Sequence, residues 1–108
     1  MRGLLGRLVI AAALLAACGA VRAQVGDAEL SFGMVGPFSG AAKEMGKEVR
    51  TGIEVAFAAQ NEAGGIHGRR LRLVAVDDGF EPARTAAALK ELVDSRKVFA
   101  AIGCVGTT

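Results

Sequence analysis

The stretch GMVGPFSG, Gly33 to Gly40, follows a short apolar alternation and precedes a helical pattern. A glycine-rich turn between a strand and a helix can cradle a nucleotide phosphate, provided its backbone N–H groups are free and its glycines are correctly spaced. The dinucleotide fingerprint requires G-x-G-x-x-G, whereas these glycines fall at Gly33, Gly36 and Gly40. Pro37 also removes one N–H from the turn itself. No G-x-x-x-x-G-K-[ST] occurs elsewhere in the sequence. The turn is therefore read as something other than a phosphate cradle, and the flanking pattern indicates what.

Upstream, Glu29-Leu-Ser-Phe-Gly-Met-Val35 alternates and then turns apolar, as a strand entering a core does. Downstream, Lys43 to Glu62 is helical. Val49, Ile53, Ala56, Phe57 and Gln60 recur at three- and four-residue steps, with Ile53 and Phe57 as the expected core anchors. Ala63-Gly64-Gly65 stops this helix and Ile66-His67-Gly68 turns the chain. A second strand, Leu71 to Val76, ends in Asp77-Asp78. A second helix opens at Glu81-Pro82, carries Ala86, Leu89, Leu92 and Val93 as its apolar stripe, and runs to about Arg96. Val98 to Ile102 is a continuous apolar run, the pattern of a buried parallel strand. The order strand, helix, strand, helix, strand predicts an α/β fold with a parallel sheet and right-handed crossovers. Three strands and two helices are few for a self-sufficient core. The last strand empties into Gly103-Cys-Val-Gly-Thr-Thr108, where a further helix should begin, so the expectation is an incomplete domain.

The N-terminus reads differently from the rest. No acidic residue precedes Asp27, Arg2, Arg7 and Arg22 are basic, and Leu8 to Ala17 is apolar. A basic start, a short apolar core and a small-residue exit describe a secretory signal peptide, taken as residues 1–23, with 24–108 as the folded part. The exit has two readings. Val21-Arg22-Ala23 before Gln24 suits ordinary cleavage, and Leu15-Ala16-Ala17-Cys18 resembles a lipobox in which Cys18 is lipidated. The 108-residue chain has thirteen basic residues; losing Arg2, Arg7 and Arg22 leaves ten against eleven acidic ones, a net charge of −1. The basicity thus belongs to the leader. Nucleic acid is excluded as a partner: there is no basic patch interleaved with aromatics, and no Trp or Tyr for stacking. With only Cys104 left as a thiol and His67 as the single histidine, neither an intrachain disulfide nor a metal site is expected.

No catalytic constellation emerges. Ser39 has no histidine placed to serve it, and His67 lies in a Gly-flanked turn as an exposed loop residue. Asp77 and Asp78 are expected to cap the turn and face solvent, and Cys104 to be a small buried or half-buried spacer. What remains is a binding geometry. In open parallel sheets, ligands sit beyond the carboxyl ends of the strands, where the strand order reverses. Pro37-Phe38-Ser39-Gly40 and Gly106-Thr107-Thr108 are turns at such ends. Their hydroxyls can accept from an ammonium or donate to a carboxylate.

On VGPFSG (Val35 to Gly40), NEAGGIHGRRL (Asn61 to Leu71), VDD (Val76 to Asp78) and IGCVGTT (Ile102 to Thr108), the sequence resembles the solute-binding proteins of ABC transporters, of the leucine/isoleucine/valine-binding type. The likeness covers the chain after the leader and corresponds to the start of such a protein, which has two α/β lobes closing on a ligand. It implies the strand order 2-1-3, placing the turns after the first and third strands side by side. It implies that Thr107 binds the solute carboxylate with Thr108 as its neighbour, that Met45 stands where an aromatic residue lines the pocket, and that Ser39 and Phe38 lie in the pocket-side turn. Some relatives join the loops after the second and third strands by a disulfide; here Phe80 and Gly106 occupy those positions.

The resemblance implies a non-enzymatic, cofactor-free, extracytoplasmic receptor that delivers an amino acid or similar small organic acid or amide to an ABC permease. Its location would be periplasmic, with the membrane as a partner only if Cys18 is lipidated. The alternatives are the sensory domain of a receptor built on the same fold and a secreted α/β enzyme.

Overall fold

The computed structural model describes residues 28–106. The expected leader of residues 1–23, with Cys18, and the expected site residues Thr107 and Thr108 lie outside the described residues. The element order is β1 (Glu29–Gly36), α1 (Lys43–Glu62), β2 (Arg70–Asp77), α2 (Pro82–Asp94) and β3 (Ala100–Ala101). The three strands form one parallel sheet in the order β2-β1-β3. β1 and β2 pair along their whole length, from Glu29 opposite Arg70 to Gly36 opposite Asp77.

Strand alternation divides the side chains of β1 between two faces. On one face, the Phe32 ring meets Phe57 of α1 with centroids 5.5 Å apart and Phe99 edge-on at 5.9 Å. On the other, Val35 joins Ala88 and Leu92 of α2 in the buried core, with Val74, Val76, Leu89 and Val98 around it. Gly33 lacks the side chain that would collide there: a Cβ on it would lie 2.7 Å from Leu92 Cδ1. Two details differ from the sequence pattern. Ala88 replaces Ala86 in the buried stripe of α2, and Val93 is exposed, because Leu92 occupies the slot over Gly33 and fixes the rotation of the helix. β3 is a two-residue ladder rather than a buried five-residue strand; among the described residues it pairs on one edge only, and Phe99 is largely exposed.

The connection from α1 to β2 shows why the Asn-x-x-Gly-Gly element has its composition. Gly65 N–H donates to Gln60 O and Gly64 N–H to Asn61 O, a Schellman closure with Gly64 at positive φ. Ile66 and Arg69 then exchange two backbone hydrogen bonds of 2.9 Å around His67 and Gly68, both at positive φ, which gives a tight primed turn. Asn61 pins the helix end to the sheet: Leu71 N–H donates to Asn61 Oδ1 at 2.7 Å, and Asn61 Nδ2 donates to Leu71 O at 3.0 Å.

α1 crosses its face of the sheet with one close contact near its start. Gly46 is the buried residue of this helix, and a Cβ there would stand 1.9 Å from Pro37 O. Ile53 and Phe57, the expected anchors, are half-buried because the described sheet beneath this 20-residue helix is only three strands wide.

Candidate functional site

The carboxyl ends of the strands converge on Gly36. Asp78 N–H donates to Gly36 O on one side, and Val105 N–H donates to Val35 O on the other. The chain leaving β1 therefore turns between the β2–α2 loop and the segment after β3, which is the reversal of strand order where α/β sheets bind ligands.

The two aspartates that end β2 hold this edge together. Asp77 Oδ1 accepts from Phe38 N–H and Gly79 N–H, each at 2.8 Å, and Asp77 Oδ2 accepts from the Ser39 hydroxyl at 2.6 Å. Asp78 Oδ1 accepts from Phe80 N–H at 2.9 Å and Oδ2 from the Thr85 hydroxyl at 2.7 Å. Both residues cap turns as expected, but they do not face solvent: Asp78 is only 3% exposed and Asp77 is half-buried. Five donors, four from the surrounding loops and Thr85 from α2, draw the carboxylates inward and replace the water they lose. Cys104, expected as a small buried or half-buried spacer, is exposed.

The hydrogen bond from Ser39, followed by those from the Phe38 and Gly79 amides, lowers the Asp77 pKa to about 2 against partial desolvation, with Arg84 assisting through its charge. The folded chain thus prefers ionised Asp77. Its contribution to stability is complete above about pH 4 and is lost as pH falls from there through about 2. Urea denaturation across this window should show a fall in stability that Asp77→Asn removes. An unchanged slope would show that the carboxylate does not cap the turn in solution.

Of the residues expected at the site, Phe38 and Ser39 are brought together by Asp77. The Phe38 ring also receives the Arg50 guanidinium of α1 at 6.0 Å, within cation–π range, and Arg50 is itself paired with Glu54. Met45 lies in the first turn of α1, half exposed. A cavity of about 220 Å³ opens beside Gly36 on the α2 side, between Val35, Asp78, Phe80 and Thr85 and the Cys104–Gly106 segment. Phe38, Ser39 and Met45 do not line it; Gly106, the last described residue, does. Among the described residues there is no group of three or more potential metal ligands. The sequence reading missed Asp77 as the hub. The signal was present in the register, since an in-phase β1–β2 pair puts Asp77 beside the residues that follow Gly36.

Residues 29–108 match the family described as periplasmic binding protein. The chain belongs to the periplasmic binding protein family. An amino acid binding protein of Pseudomonas aeruginosa is 37% identical over 76 residues, covering 70% of this chain and 20% of that relative. A possible leucine/isoleucine/valine-binding protein from Rhodopirellula baltica superimposes with a TM-score of 0.69 at 42% identity, covering 82% of this chain and 23% of that one. The branched-chain amino acid transporter substrate-binding protein LivJ from Streptococcus pneumoniae, solved in complex with isoleucine, gives a TM-score of 0.65 at 31% identity, covering 69% and 22%. The chain spans about a fifth of the length of the family members it matches. The observed β-α-β-α-β unit, with its open three-stranded sheet, corresponds to the start of a lobe of such a protein.

Proposed function

We propose that this chain forms one wall of the solute cleft in an extracytoplasmic receptor that delivers an amino acid, or a similar small organic acid or amide, to an ABC importer. The observation that carries the reading is the β2-β1-β3 order, which sets the turn after β1 beside the segment after β3 with Gly36 between them. Family membership and the amino acids named for its relatives support the solute class. Binding without chemistry fits a site edge whose carboxylates are both spent on capping hydrogen bonds, since a general acid or base needs a proton free to exchange with substrate.

In this proposal Thr107 binds the solute carboxylate, Thr108 flanks it, Ser39 and Phe38 form the opposite wall, and Met45 narrows the entrance from α1. In the complete two-lobed protein, Thr107→Ala should weaken solute binding by about 1–3 kcal/mol, the cost of leaving a buried polar partner unmatched. Calorimetric titration with L-isoleucine checks this, and an unchanged affinity would remove Thr107 from the site. The permease is the proposed protein partner and the periplasm the proposed location, reached through the leader of residues 1–23. Mass spectrometry of the mature N-terminus separates cleavage before Gln24 from lipidation of Cys18.

A further inference from the structure

We infer that Asp77 sets the hydrogen-bond polarity of the cleft wall: with its proton committed to the Asp77 carboxylate, Ser39 presents only lone pairs to a solute. The solute group that meets this hydroxyl is then a donor, such as an ammonium, an amide N–H or a hydroxyl. This deepens the solute-binding reading and rests on it.

An ionised carboxylate only accepts, so the direction of the 2.6 Å contact is fixed and the Ser39 hydroxyl is the donor. The length falls in the range of charge-assisted O–H···O⁻ bonds. Asp77 is ionised at neutral pH, as an ordinary carboxylate is, and the hydrogen bonds from Ser39, Phe38 and Gly79 lower its pKa further, to about 2. A serine hydroxyl has a single proton, and once it is spent the outward side of the oxygen can only accept. Two neighbours add no donor beside it: Pro37 has no N–H, and Phe38 N–H is also spent on Asp77. Ser39 is itself exposed, so those lone pairs are accessible. The expectation that this hydroxyl could serve either sign of solute group is thereby narrowed to one.

The discriminating variant is Asp77→Asn. Its amide oxygen can keep the Phe38 and Gly79 N–H bonds, while its NH₂ group takes the place of Oδ2 and donates to Ser39 Oγ. The clamp is retained and the hydroxyl proton is released outward. The first measurement needs no solute. In isotope-labelled full chain, the Phe38 and Gly79 amide proton shifts should titrate together with a midpoint near 2, and Ser39→Ala should raise that midpoint toward 3.8. A midpoint unmoved by Ser39→Ala would overturn the inference.

The second measurement is calorimetric titration of the complete receptor that contains this chain with L-isoleucine and with 3-methylpentanoate, the same skeleton without the ammonium. Ser39→Ala should weaken L-isoleucine roughly ten- to hundredfold more than 3-methylpentanoate, the loss of a hydrogen bond to a charged group. Asp77→Asn should reduce the preference for L-isoleucine by a similar factor. Equal losses for the two probes, or a larger loss for 3-methylpentanoate, would overturn the inference. If neither probe binds the complete receptor that contains this chain, the amino-acid reading falls, and the amide titration still decides whether Ser39 donates to Asp77.

Discussion

Replacing Gly46 by alanine is expected to destabilise the fold by about 2 kcal/mol, although alanine is the better helix former. Two effects oppose each other. Alanine gains about 1 kcal/mol in helix propensity over glycine. Against this, its methyl group would stand 1.9 Å from Pro37 O and 2.8 Å from Pro37 C. These are backbone atoms of the turn that carries Phe38 and Ser39, and no rotamer change can move them aside. Overpacking of a tight contact costs about 1–3 kcal/mol, and a contact this short belongs at the upper end, so the clash wins. The same helix contains its own control. A Cβ at Gly52 would meet nothing within 4 Å, so Gly52→Ala should stabilise by roughly 0.5–1 kcal/mol. Urea denaturation of the two variants should therefore give shifts of opposite sign. Shifts of the same sign would mean that α1 does not lie against the Pro37 turn as described.

Leu92→Ala is expected to cost about 3–5 kcal/mol. Leu92 is fully buried and packs with Val35 and Ala88. Leu→Ala in cores costs about 2–5 kcal/mol, rising with the cavity left behind. Here one wall of the cavity is Gly33, whose missing side chain is what admits Leu92, so nothing on that side can move in to fill the space. The neighbouring Val93 is 59% exposed, and Val93→Ala should change stability by no more than about 0.5 kcal/mol. Comparable losses at both positions would place α2 in a different rotation on the sheet.

These two residues also show where the sequence was readable and where it was not. Hydrophobic period and Gly/Pro punctuation located β1, β2 and both helices to within a residue or two, because strands and helices of this length impose periods that a linear pattern displays. The rotation of α2 was less legible. Ala86, Leu89, Leu92 and Val93 made a plausible stripe, but burial depended on a glycine in another strand, Gly33, which no local pattern connects to Leu92. β3 misled for a related reason: an apolar run states what a strand would bury, not what lies beside it. At the site, the turn itself was recognised from Pro37 and its glycines. The Asp77 hub was not, since it depends on pairing register across about forty residues, and Asp77 and Asp78 look alike in sequence while clamping different loops.

The asymmetry between those aspartates bears on how the proposed cleft would work. Asp78 ties the β2–α2 loop to its own helix through Thr85, a local contact seven residues apart. Asp77 ties two loops from different strands together. A cleft wall held by long-range hydrogen bonds is preorganised before solute arrives, so less ordering remains to be done on binding.

The central claim is that this strand end walls a site that binds a small solute without transforming it. Thermal unfolding of the complete receptor that contains this chain, across a panel of amino acids and aromatic acids, is the sharpest test, with each compound recovered and analysed afterwards. A saturable rise in Tm is expected for at least one solute, with that solute recovered unchanged and the rise diminished in Ser39→Ala. No rise across the panel, or consumption of the stabilising compound, would contradict it.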